Sequence, residues 1–143
     1  MGHEDSIMST RKTLQKVQGT LTASVNGVAN FVADEVYLTN DDVLIRVVGV
    51  DEDSASLLRI IQIDMTPDIT NGEHVFPGDQ IRALIAGGNT APSHYVTESG
   101  RVSINFDPGH GLYKGSLNFT ARNIFPPRDT VVVEGDFELS NKL

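Results

Sequence analysis

The chain has 143 residues, with 19 acidic and 11 basic side chains and no cysteine. Its length suits one domain, since domains cluster near about 100–150 residues, and a hydrophobic content of 39% is too high for a disordered chain. Zero cysteine excludes disulfides, Cys-based zinc sites, iron–sulfur clusters and thiol catalysis. The net charge of −8 lies wholly between Asp34 and Glu73, where ten acidic residues face only Arg46 and Arg59; the rest of the chain holds nine of each sign. A net-negative chain without a basic stripe is a poor phosphate binder, so no nucleic-acid partner is expected. The longest apolar run, Ile81 to Gly88, is interrupted by Arg82 and is far shorter than the roughly 20 residues a bilayer span requires.

Residues 1–16 read as a polar N-terminal arm. Asp5-Ser6 and Ser9-Thr10 are capping residues for one or two helical turns through Arg11, Lys12 and Leu14. Met1-Gly2-His3-Glu4-Asp5 lacks the basic start and apolar stretch of a signal peptide, which points to the cytoplasm, or to export if an upstream leader has been removed.

From Val17 the period changes to two, and residues 17–143 read as one β domain. Val17, Gly19, Leu21, Ala23 and Val25 alternate with polar residues as a half-buried strand. Asn26-Gly27 is a hairpin turn, and Val28 to Val32 is the return strand, extending towards Val36-Tyr37-Leu38. Asn40-Asp41-Asp42 is a turn, Val43 to Val50 a strand, and Asp51-Glu52-Asp53-Ser54 closes it. Leu57 to Met65 follows, with Leu58, Ile60, Gln62 and Asp64 on one face and Arg59, Ile61, Ile63 and Met65 on the other. Glu73 to Phe76 is short, and Pro77-Gly78-Asp79 turns into a strand from Ile81 to Ile85. His94 to Thr97 and Arg101 to Phe106 are expected to form a hairpin around Glu98-Ser99-Gly100. Leu112 to Ala121 and Thr130 to Leu139 complete the set, separated by Pro126-Pro127, which cannot donate to a ladder.

About nine short strands with regular turn signals predict an all-β fold. A single antiparallel β-sandwich is the expected architecture and a closed β-barrel the alternative. Phe31, Phe106, Phe119 and Phe137 are the expected core plugs. Gly115 and Gly135, inside strands, mark a bulge or a close backbone approach.

Four local patterns carry a resemblance. They are Asn26-Gly27-Val28-Ala29-Asn30-Phe31-Val32-Ala33, Gly100-Arg101-Val102-Ser103-Ile104, Gly115-Ser116-Leu117-Asn118-Phe119 and Val131-Val132-Val133-Glu134-Gly135-Asp136-Phe137. In that order they resemble a family of small all-β bacterial domains of unknown function, many carried on lipoproteins. The resemblance spans residues 17–139 and implies a fold with no catalytic residues. The chain departs from it in lacking the lipoprotein signal and its cysteine, which weighs against surface anchoring.

Chemistry-bearing residues are sparse. Asp41, Asp42, Asp51, Glu52 and Asp53 are oxygen donors of the type calcium takes, although no EF-hand spacing is present. His3, His74, His94 and His110 have no zinc-site spacing. Gly115-Ser116 does not complete a nucleophile elbow, and Gly87-Gly88 is not followed by a helix that could hold phosphate. The sequence therefore predicts a non-enzymatic binding or interaction module without a cofactor. The alternative is a barrel carrying a small apolar ligand, and a carboxylate-based hydrolase comes third. A homodimer through an edge strand is a further expectation, with Val43 to Val50 and Leu57 to Ile63 as the strands offered.

Overall fold

The computed structural model describes residues 15–52, 58–76, 78–87 and 93–141. Ten strands run in order: β1 Gln15–Val25, β2 Val28–Val32, β3 Glu35–Asn40, β4 Ile45–Val50, β5 Leu58–Met65, β6 Gly72–Phe76, β7 Ile81–Gly87, β8 Ser93–Asp107, β9 Leu112–Asn123 and β10 Thr130–Ser140. Residues 15 and 16, expected in the N-terminal arm, already belong to β1; the helical turns expected before them lie outside the described residues.

The strands pair antiparallel in the path β10-β9-β8-β7-β5-β4-β3-β1, and β10 returns to pair with β1. The sheet therefore closes on itself as an eight-stranded barrel, and the expected sandwich gives way to its alternative. The physical reason is the eight-residue seam from Gln18↔Ser140 to Val25↔Val133, which joins the first and last strands in one ladder. Two open sheets packed face to face would leave those strands as edges. The two remaining strands extend the barrel wall. β2 lies on the same side of β1 as β3, paired at Thr22 to Val25, and β6 lies on the same side of β8 as β7.

Period-two alternation supplies the interior. Leu21, Ala23 and Val25 of β1, Leu117, Phe119 and Ala121 of β9, and Val131, Val133, Phe137 and Leu139 of β10 are all buried. Phe31, Phe119 and Phe137 are core residues as expected, Phe106 is half-buried beside them, and Phe76 packs edge-on to Phe119 with centroids 5.3 Å apart. An eight-stranded barrel has an interior about wide enough for its own side chains. The glycines on inward positions let the walls approach. A Cβ on Gly135 would lie 2.3 Å from the Thr22 carbonyl oxygen of the adjoining strand. At both Gly115 and Gly135 the register is unbroken, so the close approach, and not a bulge, explains them.

Two bulges break the period in the closed eight-stranded wall. In β5 an extra residue at Arg59 places Leu58 and then Ile61, Ile63 and Met65 inside, leaving Ile60, Gln62 and Asp64 outside. In β8 a register shift between Thr97 and Ser99 moves the inward set from Tyr95 and Thr97 to Val102 and Ile104. The hairpin expected at Glu98-Ser99-Gly100 is therefore absent, and Ser93–Asp107 is one bent strand. The buried Thr97 hydroxyl repairs the bent ladder: it accepts from the Ala83 N–H at 2.9 Å and donates to the Ala83 carbonyl at 2.6 Å.

Candidate functional site

The acidic segment forms neighbouring strands β3, β4 and β5, but its charges divide between the two ends of that wall. Asp41 and Asp42 sit before β4, and Asp51 and Glu52 sit after it. Six strand residues separate the pairs, roughly 20 Å at about 3.3 Å per residue. The calcium candidates are thus not brought together, and Asp53 lies outside the described residues. Several of these carboxylates hold backbone instead. Asp41 Oδ1 accepts from the N–H groups of Val43 and Leu44 at 2.8 and 2.9 Å. Asp51, buried, accepts from Val32 N–H at 2.8 Å, and Asp34 accepts from Glu52 N–H at 2.9 Å. Among the described residues no group of three or more His, Asp or Glu side chains is placed to hold a metal ion.

The strands offered for sheet extension also have another role. β4 is paired with both β3 and β5, and β5 with both β4 and β7, so closure leaves neither a free edge. Among the described residues β2 pairs on one side only, and there a register shift breaks its line while Asp51 occupies the Val32 N–H. Bulges and inward carboxylates of this kind blunt an edge against further pairing.

Among the described residues the histidines do not assemble a catalytic set. His110 Nδ1 meets Asp107 at 2.8 Å on an exposed turn, and His74 Nε2 meets the Thr70 carbonyl at 2.6 Å. At one barrel end Tyr95 donates to Asp129 at 2.6 Å, and the Asn123 amide donates to the same carboxylate at 3.2 Å. Burial, then the bond to Asp129, pushes the Tyr95 hydroxyl up to about 12. The Tyr95 bond holds the Asp129 carboxyl below its ordinary value. A tyrosine held protonated in this way clamps the loop after β9 and is unsuited to act as a base.

The outer face of β1, β10, β9 and β8 carries the most regular surface feature. Three cross-strand rows stand in register: Thr20, Glu138, Lys114, Asn105; then Thr22, Asp136, Ser116, Ser103; then Ser24, Glu134, Asn118, Arg101. Alternation sends these residues outward because their neighbours fill the core. The middle row is short, and the outer rows are taller. The result is a groove across four strands, formed of two adjoining lobes of about 560 and 440 Å³ that share Ser103, Ser116 and Asp136. Across three strand spacings it runs for roughly 14 Å. Arg101 pairs with Glu73 of β6 at 2.9 Å, and Lys114 pairs with Glu138 at 3.5 Å. Both cations are thereby matched, and Glu134 and Asp136 supply the surplus negative charge of the groove. The sequence shows each outward triplet, such as Thr-x-Thr-x-Ser or Glu-x-Asp-x-Glu, but the neighbour relations that align them exist only in the closed barrel.

The chain matches no protein-family model, no curated protein and no solved structure. Among the described residues no helix is long and apolar enough to cross a membrane.

Proposed function

We propose that this domain is a non-enzymatic protein-interaction module that binds an extended, basic polypeptide segment in the outer groove. The observation that carries the reading is the twelve-residue grid of outward side chains, polar at every position and aligned over four strands. A hydroxyl-rich floor with surplus carboxylates suits a chain that offers backbone N–H groups and Lys or Arg side chains. The lining has no exposed aromatic ring to stack a sugar. The packed interior, with Phe31, Phe76, Phe119 and Tyr113 all buried along it, favours a surface ligand over an internal apolar one.

The test is an amide NMR titration of the protein with three probes: a Lys/Ser-rich peptide, a neutral oligosaccharide and a fatty acid. The peptide is expected to shift the amides of Thr22, Ser103, Ser116 and Asp136, and added salt is expected to weaken it. Ser116→Trp, which fills the middle of the groove, is expected to abolish those shifts. Shifts by the fatty acid at Leu117, Phe119 and Val133, with none from the peptide, would replace this reading with the carrier.

A further inference from the structure

The turn that closes β1 on β2 is Asn26-Gly27, with φ of 54° and 85°. Val25 is the last β1 residue in the seam and stands opposite Val133. One step further the ladder continues in altered form. Asn26 N–H donates to the Val132 carbonyl at 2.8 Å. Val132 N–H, however, donates to the side-chain Oδ1 of Asn26 at 2.9 Å. The side-chain carbonyl stands in for the main-chain carbonyl, which the left-handed turn has carried away from β10.

Asn-Gly is also a reactive pair, because glycine places no Cβ between its own nitrogen and the preceding side chain. A Cβ at Gly27 would meet nothing within 4 Å, so no neighbouring group covers the turn. We infer that Asn26 is a latent self-modification site, held shut by its clasp on Val132 and released when the hairpin leaves β10. In the reaction the Gly27 amide nitrogen attacks Asn26 Cγ. The new N–C bond closes a five-membered imide, the Cγ–Nδ2 bond breaks, and ammonia departs with the proton from the Gly27 nitrogen. Water then opens the imide to aspartate or isoaspartate. Ring closure must swing Cγ onto the Gly27 nitrogen, which draws Oδ1 off the Val132 N–H and turns Asn26 out of its turn conformation. The chemistry therefore waits on local opening of the seam. The two products differ in effect. Aspartate keeps the acceptor for Val132. Isoaspartate adds a methylene to the main chain of a two-residue turn and so disturbs the register of β2 on β1.

The experiment is incubation of the full chain at mildly alkaline pH, with peptide mapping for aspartate and isoaspartate at position 26. The folded protein is expected to react at least about tenfold more slowly than the chain in denaturing guanidinium, the factor set by the opening equilibrium. Val132→Pro removes the donor to Oδ1 and is expected to raise the folded-state rate several-fold. Equal rates in folded and unfolded protein, or no change in a Val132→Pro variant with native circular dichroism, would overturn the inference. If that variant does not fold, the wild-type rate is followed through sub-denaturing guanidinium beside the exchange rate of the Val132 amide. A parallel rise supports the clasp, and rising exchange with a flat reaction rate overturns it.

Discussion

Gly115 and Phe137 share one space, and that sharing can be measured. The two face each other in the β9–β10 ladder. A Cβ built on Gly115 would lie 2.4 Å from Phe137 Cε2, 2.5 Å from Cζ and 3.2 Å from the Ser103 carbonyl oxygen. Gly115 does not occupy the left-handed region, so alanine carries no backbone strain there. Gly115→Ala gains about 0.4–1 kcal/mol by restricting the unfolded chain, but the collision costs about 1–3 kcal/mol. The net expectation is a loss of about 1–2 kcal/mol. Phe137→Ala empties a buried ring position and should cost about 3–5 kcal/mol. In the double variant the collision disappears and the added methyl occupies part of the vacated volume. Its cost should therefore fall short of the sum of the single costs by about 1–2 kcal/mol. Urea unfolding followed by far-ultraviolet circular dichroism gives all four stabilities, with a constant m-value as the check on two-state behaviour. Additivity within about 0.5 kcal/mol, or a Gly115→Ala variant more stable than the parent, would refute the shared-space reasoning.

Thr97→Val should cost about 2–3 kcal/mol, because it strands the buried N–H and carbonyl of Ala83; Thr97→Ser should retain most of the stability in the same denaturation assay. The Tyr95 hydroxyl is raised to about 12 in the folded state, against about 10 unfolded. Its stabilising contribution is therefore complete below pH about 10 and is lost as pH rises from there towards about 12. Tyr95→Phe should flatten that alkaline decline in guanidinium midpoints and cost about 1 kcal/mol at neutral pH; an undiminished decline would show that Tyr95 is not its source. With Asp41-Asp42 and Asp51-Glu52 at opposite ends of β4, the melting temperature should be the same in EDTA and in millimolar calcium, and a calcium-dependent rise would reveal a site.

Alternation made the β fold and most core positions legible. Leu21, Phe119 and Phe137 are inward because their neighbours are polar, and that is readable along one strand at a time. Three features were not readable in that way. The break from Thr97 to Val102 has the same signature as a turn, since a bulge also shifts the period by one and Gly100 supplies the same flexibility. Sandwich and barrel differ by one relation, the pairing of β1 with β10, which no local pattern encodes. The groove has the same origin: Thr22, Ser103, Ser116 and Asp136 come from four separate stretches and look like ordinary solvent-facing residues until closure aligns them. The carboxylates from Asp34 to Glu73 were the most conspicuous feature of the sequence, yet several of them hold turns and strand ends in place.

The seam joining Gln18–Val25 to Val133–Ser140 also governs how the molecule is made. A ribosome delivers β1 before β10, so the side of β1 that joins the seam stays without its partner until β10 has been made. Pairings this distant in sequence are slow to form and leave hydrogen-bonding edges open to neighbouring chains in the interval. A product ending before Thr130 would lack β10 entirely and expose both β1 and β9 along the gap. Such truncations are expected to collect in the insoluble fraction, and the last eleven residues of strand thus act as the final quality check on the whole fold.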